Sequence, residues 1–421
     1  MSAPGAGSIV GAVTSIKQEV EPAEVGLDAA RLGRIEQYFA RFVDDGVLPG
    51  FLVMVSRGGK IAHVAKYGWR DLERKLPVED DTIFRIYSMT KPVTSVAAMM
   101  LYEEGRFRLQ DPVSDYLPEF ADLRVYVSGS SAAPVTRPAG EPMRVWHLFT
   151  HTAGLTYGFL YTHPCDAIYR AAGFEWASPP GLDLQASCEA WARLPLMFDP
   201  GSGWNYSVAT DVLGRLVEVW SGTTLDRFFA ERIFEPLQMD DTAFFAEGEA
   251  LERLAVLYTP DPETGKARIL DAMGSVATKR PSVLSGGGGL VSTAGDYHRF
   301  AQMLLGEGEL DGVRLLGSRT LAYMTTNHLP DGRDIASFGH PIAEADPGVG
   351  FGLGFSVVLD PARRKTLSSA GEFAWGGAAN TAFWVDPAED LTVIWMTQLL
   401  PSMAVLIRPR LSVLVQQAIV D

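Results

Sequence analysis

One stretch of this chain, Thr82-Ile-Phe-Arg-Ile-Tyr-Ser88-Met-Thr-Lys91-Pro92, indicates both its fold and its chemistry. The first six residues predict a short strand, and the apolar run from Val93 to Glu104 predicts a helix directly after it. A proline is tolerated in the first turn of a helix, where backbone N–H groups have no intrahelical partner. Because residues three apart share one helix face, the Lys91 amine can reach the Ser88 hydroxyl.

This pair has the chemistry of a base-activated nucleophile. A serine hydroxyl attacks poorly unless a base takes its proton, and a lysine serves as that base when burial or nearby cations lower its pKa. A helix start that follows a strand also presents N–H groups, which stabilise developing negative charge. Ser-x-x-Lys occurs once in the chain. The alternative interpretation is an exposed helix start with a serine near the N-cap.

Two later segments contain further candidates. The segment Gly203-Trp-Asn-Tyr206-Ser-Val208 offers a tyrosine that can share a proton relay, although a core tyrosine is the simpler interpretation. The segment Trp375-Gly-Gly-Ala378 stands at the entry to a predicted strand, where glycines allow a close backbone approach. An N–H of this strand can pair with the Ser88 N–H as an oxyanion hole, whereas the alternative is a simple β-turn.

Taken in chain order, these motifs resemble the serine β-lactamase and penicillin-binding-protein superfamily, specifically its class C-like branch. Within that branch the chain is most similar to the family VIII carboxylesterases and the related lovastatin-type acyltransferases. The likeness runs from about residue 25 to the C-terminus. Three further segments agree with motifs of that branch: Leu148-Phe-Thr-His-Thr-Ala-Gly-Leu155, Asp199-Pro-Gly-Ser-Gly-Trp-Asn-Tyr206 and Ser285-Gly-Gly-Gly-Gly-Leu-Val-Ser-Thr293.

The resemblance implies a role for each matching position. Ser88 is the acyl-accepting nucleophile, Lys91 is the general base or a shared proton carrier, and Tyr206 protonates the leaving group and later helps to activate water. The N–H groups of Ser88 and Ala378 form the oxyanion hole. The resemblance implies neither a metal nor an organic cofactor. The residues expected to bind substrate are Trp375, Gly376, Gly377, Val208 and Tyr157.

The chain departs from the β-lactamases and penicillin-binding proteins at two places. Those relatives carry Lys-Thr-Gly on the strand where this chain has Trp375-Gly-Gly, so a cation that holds a substrate carboxylate is missing there. The nearby Lys365-Thr-Leu367 is no substitute, because its third residue is bulky. Val208 replaces the usual asparagine two residues after Tyr206. Both changes favour neutral, small esters over lactams and peptides.

The resemblance implies an α/β (α+β) fold of the β-lactamase type, with an antiparallel sheet flanked by helices and a mostly helical inserted domain. We expect a flexible arm at 1–23, an α/β domain formed by 24–97 and 281–421, and the helical domain at 98–280, with the cleft between the two domains. The predicted strands are 51–56, 60–66, 354–359, 365–370, 379–385 and 391–397, and the predicted helices include 28–43, 93–104, 296–305 and 403–420.

Composition narrows the possible partners and location. The chain has 421 residues, 47% of them hydrophobic, and a formal net charge of −15, so we expect no nucleic-acid partner and no anionic-membrane surface. It has no apolar run long enough for a membrane span and no secretory signal pattern. Cys165 and Cys188 are its two cysteines, typical of free thiols in the cytoplasm. The oligomeric state stays open.

We therefore predict a serine carboxylesterase that hydrolyses short-chain acyl esters through an acyl-enzyme on Ser88. Three alternatives stay open: an acyltransferase with the same acyl-enzyme, a β-lactamase or D-Ala-D-Ala peptidase, and a binding protein that has kept the fold without catalysis. A Ser-His-Asp triad is disfavoured because the chain lacks Gly-x-Ser-x-Gly, and His151 is expected to hold the loop near the cleft.

Overall fold

A computed structural model describes residues 16–176, 179, 181–339 and 347–421. Most of the predicted N-terminal arm, residues 1–15, lies outside the described residues. No helix in the described part of the chain combines the length and the apolar character that a membrane crossing needs.

The main feature is one eight-stranded sheet in which every neighbouring pair of strands is antiparallel. Its spatial order is β4-β5-β6-β7-β8-β1-β2-β3. The pairing of β1 with β8 joins the two ends of the chain, as predicted. The strands are β1 (Gly50–Arg57), β2 (Lys60–Asp71), β3 (Leu76–Pro77), β4 (Val349–Phe351), β5 (Ser356–Val358), β6 (Phe373–Gly376), β7 (Ala382–Asp386) and β8 (Leu391–Met396).

Both faces of this sheet are covered, so its central strands are continuously buried. Successive side chains of a strand point to opposite faces, and those of β1 therefore enter two cores. Phe51 packs in the core that contains the helices Ala29–Asp44 and Arg408–Gln416. Leu52 packs in the larger core, which contains the helix Ala294–Leu305.

The helices and smaller sheets surround this centre. The longer helices are Ala29–Asp44, Thr90–Glu103, Val145–Phe149, Pro164–Ala171, Leu184–Ala192, Ala209–Ser221, Leu225–Phe229, Ala294–Leu305, Ser318–Met324 and Arg408–Gln416. Short α-helical turns occur at Glu235–Leu237, Ala250–Arg253, Asp271–Gly274 and Pro361–Arg364, and a π-helical turn at Ala230–Phe234. The 3-10 turns include Pro22–Val25, Tyr87–Met89, Val113–Asp115, Pro118–Phe120, Gly158–Leu160, Ser275–Thr278, Pro330–Gly332, Ile335–Phe338 and Ser402–Ala404. The two-stranded sheets are Phe84–Arg85 with Val291–Ser292, Arg124–Ser130 with Ala133–Pro138, Tyr258–Pro260 with Ala267–Ile269, and Glu309–Leu310 with Val313–Arg314.

Several predicted elements are confirmed and a few are wrong. The hairpin across Gly58-Gly59 is confirmed as β1 and β2. The predicted strand 365–370 is wrong, because a helical turn ends at Arg364 with Lys365 as its C-cap, and the strand β6 begins only at Phe373. Leu367 is 52% exposed there, so the segment has no face to bury. The predicted helix 403–420 is shorter, at Arg408–Gln416.

The structure also differs from the sequence-based prediction at two further places. The strand predicted over 82–87 is only Phe84–Arg85, because the chain turns into the 3-10 turn Tyr87–Met89. The middle of the chain contains a hairpin, Arg124–Ser130 with Ala133–Pro138, that the pattern missed. Most of its side chains are exposed, so it lacks the alternation that marks a half-buried strand.

The burial of His298 leads us to expect a fold that loses stability in acid. Its ring nitrogen Nε2 lies 2.7 Å from Ser56 Oγ of β1. Burial, with a smaller effect of Arg299, lowers the pKa of His298 to about 4. The unfolded chain has the ordinary pKa near 6.5, so the folded state gains stability above that pH and loses it as the pH falls toward 4. We expect this residue to lower the free energy of unfolding by up to ~3 kcal/mol across that window.

Urea unfolding at a series of pH values checks this expectation. His298→Gln should show a shallower loss of unfolding free energy between pH 6.5 and 4 than the natural protein. Ser56→Ala is the matched control, because it removes the hydrogen bond and leaves the ring buried, which is the main cause of the shift. Equal slopes in the natural protein and His298→Gln contradict the assignment.

Candidate active site

The backbone before Ser88 is locally strained. The chain leaves the short strand Phe84–Arg85, passes through the 3-10 turn Tyr87–Met89 and enters the helix Thr90–Glu103. Tyr87 has φ 43°, in the left-handed region that non-glycine residues seldom adopt. Such conformations cost of order 1–3 kcal/mol and occur preferentially at functional sites. The turn leaves Ser88 partly exposed at a cavity that it helps to line.

Lys91 is 1% exposed, and its amine lies among polar groups from distant parts of the chain. Nζ is 3.3 Å from Ser88 Oγ, so the expected pair is brought together. Nζ also donates to Tyr157 Oη at 3.1 Å and to the Gly287 carbonyl at 2.6 Å. It lies 4.5 Å above the centre of the Tyr206 ring. The nucleophile candidate, the amine and the candidate tyrosine therefore form one cluster.

Tyr206 is held by aromatic packing on several sides. Its ring centre is 4.9 Å from that of His151, 5.4 Å from Tyr157 and 5.5 Å from Trp375. His151 is fully buried, and burial followed by the charge of Lys91 keeps its pKa well below the usual range. The ring of His151 also lies 3.3 Å from Ser207 Oγ. These contacts place His151 beside the segment that contains Tyr206.

The turn after β6 brings Ala378 to the site. Gly377 donates its N–H to the Thr381 carbonyl at 2.8 Å. A Cβ atom at Gly377 would collide with the Ile86 carbonyl and the Thr381 side chain, so a glycine is required by close approach. Ala378 and Ser88 consequently line the same cavity.

Trp375 and Gly376 are neighbours on β6 and therefore face opposite sides of the sheet. Trp375 is 2% exposed and packs edge-on against Phe351, with ring centres 5.2 Å apart, as well as against Tyr206. The guanidinium of Arg408 lies against Gly376, where any Cβ would collide with it. The sequence pattern missed this cation, because it comes from the C-terminal helix and not from the strand.

The cavity beside Ser88 has a volume of about 180 Å³ and is largely apolar. Val208 and Tyr157, which were expected to bind substrate, are among its lining residues. Phe159 stacks on Trp176 at 4.6 Å and forms part of the same wall. Further apolar lining comes from Trp191, Phe244, Met273, Val276, Ala277, Val283 and Leu290. Such a lining suits a small apolar group attached to a reactive centre at Ser88.

One buried carboxylate at this cavity was not anticipated. Asp211 lies in the first turn of the helix Ala209–Ser221 and is 4% exposed. Its Oδ1 accepts hydrogen bonds from Ser285 Oγ at 2.5 Å and from the Gly287 N–H at 3.0 Å. Burial raises the pKa of Asp211, while Lys91 and these hydrogen bonds act in the opposite direction. The signal available in the sequence was one acidic residue among the mostly apolar residues 208–213.

Comparison with known proteins agrees with this architecture. The sequence profile of the family described as Beta-lactamase matches residues 35–417. This chain belongs to the Beta-lactamase family. The predicted fold, an antiparallel sheet flanked by helices, is confirmed for this family member.

The relatives include proteins with named activities. The chain is 38% identical to Protein Rv1367c of Mycobacterium tuberculosis over 86% of its own length and 88% of that protein. It is 32% identical to Esterase EstB of Burkholderia gladioli over 90% and 93% of the two chains. The solved structure of EstCE1, a hydrolase with promiscuous acyltransferase activity, matches with a TM-score of 0.75 and 26% identity over 93% and 98%. The expected resemblance to the family VIII esterase type is confirmed.

Proposed function

We propose that this Beta-lactamase family member is a serine carboxylesterase that hydrolyses short-chain acyl esters through an acyl-enzyme on Ser88. The observation that carries the proposal is the 3.3 Å approach of Lys91 Nζ to the Oγ of Ser88, a residue that lines an apolar cavity. The names of Esterase EstB and of the hydrolase EstCE1 support the same reaction class. An apolar cavity of this size accommodates the acyl group of a neutral ester.

The proposed reaction assigns one role to each member of the cluster. Lys91 takes the proton of Ser88 as Oγ attacks the ester carbonyl, and the bond to the leaving alcohol then breaks. Tyr206 gives a proton to the leaving alkoxide and later takes one from the attacking water. The water oxygen attacks the acyl carbonyl, the bond from that carbonyl to Ser88 Oγ breaks to release the carboxylic acid, and Lys91 returns its proton to Oγ. The ring contacts of Tyr206 and its position under the amine support this assignment.

The remaining predicted residues form the surroundings of the reacting carbonyl. We propose that the N–H groups of Ser88 and Ala378 stabilise the oxyanion, which their shared position at the cavity supports. Val208 and Tyr157 contact the substrate from the cavity wall. Trp375, Gly376 and Gly377 are not among the residues that line this cavity, and we propose that Trp375 acts on the substrate through Tyr206, whose ring it contacts.

An acyltransferase is the second candidate. EstCE1 is described as having promiscuous acyltransferase activity, and the acyl-enzyme is common to both reactions. An alcohol that reaches the acyl-enzyme before water turns hydrolysis into transfer. A β-lactamase or D-Ala-D-Ala peptidase is disfavoured by Trp375 in place of the lysine that holds a substrate carboxylate.

Ester turnover combined with active-site labelling tests the proposal. We expect hydrolysis of nitrophenyl acetate and butyrate, a stoichiometric adduct of an organophosphonate on Ser88 by mass spectrometry, and weak turnover of nitrocefin. Product analysis with added short alcohols separates hydrolysis from transfer. Absence of both ester turnover and the Ser88 adduct would sink the proposal, and nitrocefin turnover above ester turnover would favour the lactamase alternative.

We also propose the two-domain division and a cytoplasmic location. All eight strands of the main sheet lie within 24–97 and 281–421, which supports the boundaries around a mostly helical 98–280. Cys165 and Cys188 are buried free thiols, which suits a reducing compartment. Limited proteolysis and cell fractionation test the two statements separately.

A further inference from the structure

We propose that Gln398 is a positioning residue for the oxyanion hole, because it ties the backbone before Ser88 to the segment that holds the turn with Ala378. The inference deepens the proposed function and rests on its assignment of the Ser88 and Ala378 N–H groups as oxyanion donors. These two donors come from distant parts of the chain, so their separation depends on contacts between segments. Gln398 is 2% exposed and lies just after β8.

The backbone of Arg85, which leads to the nucleophile, has an N–H and a carbonyl that its strand pairing does not use. The strand Phe84–Arg85 is antiparallel to Val291–Ser292. The next residue, Ile86, donates its N–H to the Leu290 carbonyl at 3.1 Å, so the alternation of an antiparallel pair turns the backbone groups of Arg85 to the other edge. Because Arg85 is 6% exposed, these groups need partners within the protein.

The side chain of Gln398 supplies both partners. Oε1 accepts a hydrogen bond from the Arg85 N–H at 3.1 Å, and Nε2 donates to the Arg85 carbonyl at 3.0 Å. Nε2 also donates to the Thr397 carbonyl at 2.8 Å. A reversed amide would turn its NH2 group toward the Arg85 N–H, a donor against a donor, so these contacts fix one orientation. The side chain therefore replaces a neighbouring strand beside the backbone that leads to Ser88.

The main chain next to Gln398 is bonded to the turn that contains Ala378. Leu399 donates its N–H to the Ala379 carbonyl at 3.1 Å, and Ala379 directly follows Ala378. Two adjacent residues thus contact both halves of the proposed oxyanion hole. The side chain of Gln398 holds the nucleophile segment, and the backbone of Leu399 holds the turn.

The segment 397–400 is itself fixed by contacts with other parts of the fold. Tyr258 donates its N–H to the Gln398 carbonyl at 2.9 Å, and the Tyr258 carbonyl accepts the N–H of Leu400 at 2.9 Å. Thr397 Oγ1 donates to the Gly50 carbonyl at 2.6 Å. Because this segment is held on several sides, a side chain that extends from it can fix the position of another segment.

The position of the two donors matters for one atom of the substrate. Their N–H groups stabilise the charge that develops on the carbonyl oxygen as Ser88 Oγ attacks, and this effect needs both donors in fixed places. Without the contacts of Gln398, the Ser88 N–H is held less firmly relative to the Ala378 N–H. Sulfur is a weak hydrogen-bond acceptor. A thionoester, which has sulfur in place of the carbonyl oxygen, should therefore lose much less than the ordinary ester.

The test compares Gln398→Met with the natural protein on nitrophenyl butyrate and its thionoester. Methionine has a similar length and lacks the amide. We expect kcat/KM to fall about 30-fold for the ester and less than about threefold for the thionoester, so the ester-to-thionoester ratio falls about tenfold. A fraction of misfolded enzyme lowers both rates equally and leaves this ratio unchanged. A role confined to folding would therefore not move it.

Two further variants accompany this one. Gln302→Met is the matched control: Gln302 is also a buried glutamine, 8% exposed, and its Nε2 donates to Thr392 Oγ1 on β8 at 2.8 Å. Its ester-to-thionoester ratio should stay within about twofold of the natural value, because its hydrogen bond links a helix to the main sheet. If Gln398→Met fails to fold, Gln398→Asn decides, since its shorter side chain cannot keep both contacts with Arg85 and should also lower the ratio.

Amide hydrogen exchange tests the same contacts without a substrate. In Gln398→Met, peptides that cover 84–90 and 377–382 should exchange faster than in the natural protein, whereas the helix Ala29–Asp44 should exchange at the natural rate. This measurement separates the inference from the proposed function. If the natural protein hydrolyses no ester and Ser88 takes no organophosphonate, the proposed function fails, while faster exchange in both peptides still supports the link through Gln398.

Two results would overturn the inference. One is a natural ester-to-thionoester ratio in a folded Gln398→Met or Gln398→Asn variant of an enzyme that hydrolyses both esters. In that case the proposed function stands and the positioning role fails. The other is natural exchange in both peptides of Gln398→Met, because the two segments are then held without the side chain.

Discussion

Replacing Ser88 with alanine is expected to lower kcat/KM for nitrophenyl butyrate by at least ~10⁴-fold and to abolish labelling by an organophosphonate. The physical reason is that no other hydroxyl can form the acyl-enzyme when Oγ is gone. The substitution removes one partly exposed atom next to Lys91 and leaves the helix Thr90–Glu103 intact, so the thermal midpoint should change little. Steady-state hydrolysis, intact-protein mass and thermal unfolding measure the three quantities.

Ser95→Ala is the matched control for this variant. Ser95 lies on the same helix and is 1% exposed, and its hydroxyl has no hydrogen-bond partner among the residues that the structure describes. Its activity should equal that of the natural protein within about twofold. Equal ester turnover by Ser88→Ala and the natural protein would falsify the assignment of the nucleophile.

Replacing Lys91 with methionine is expected to lower kcat about 10³-fold, with a much smaller change in KM. Methionine has a similar length and suits a site that is 1% exposed, but it has no proton acceptor for Ser88. The hydrogen bonds to the Gly287 carbonyl and Tyr157 are lost at the same time. Single-turnover acylation, followed by the burst of nitrophenol, measures the step at which the base acts.

Lys66→Met provides the comparison. Lys66 lies on β2 and forms its ion pair with Asp80 at 2.7 Å, where both side chains are partly exposed. We expect little change in its acylation rate, since surface ion pairs contribute about 0–1 kcal/mol to stability. If Lys91→Met acylates within about tenfold of the natural rate, Lys91 is not the base and Tyr206 becomes the candidate for that role.

Much of the fold was predictable from local pattern. The hairpin β1–β2, the helix after Ser88 and the strands near the C-terminus follow from periodicity and turn residues that act over a few positions. The strand predicted over 365–370 failed because local composition does not show whether a partner strand lies beside it. The hairpin that begins with Arg124–Ser130 was not predicted, because its strands pair with each other while most of their side chains stay exposed and show no hydrophobic alternation.

The features of the candidate site also fall into two groups, those set by local sequence and those set by tertiary packing. The sequence by itself determined the approach of Lys91 to Ser88, because three residues of helical spacing bring the two side chains to one face. The motif order also determined the family, and with it the expected place of Tyr206 beside the pair. These are local distances or matches of residue type, and they do not depend on the path of the rest of the chain.

Only the tertiary structure decided which groups complete the environment of the amine. Tyr157 is 66 positions from Lys91 and Gly287 is 196 positions away, yet both accept its N–H groups. Asp211 and Arg408 likewise reach the site through the packing of separate helices. Contacts of this kind depend on how distant elements pack around a common core, and no periodicity within a short segment determines them. Packing therefore decided that Tyr157 and Gly287 are hydrogen-bond partners of the Lys91 amine.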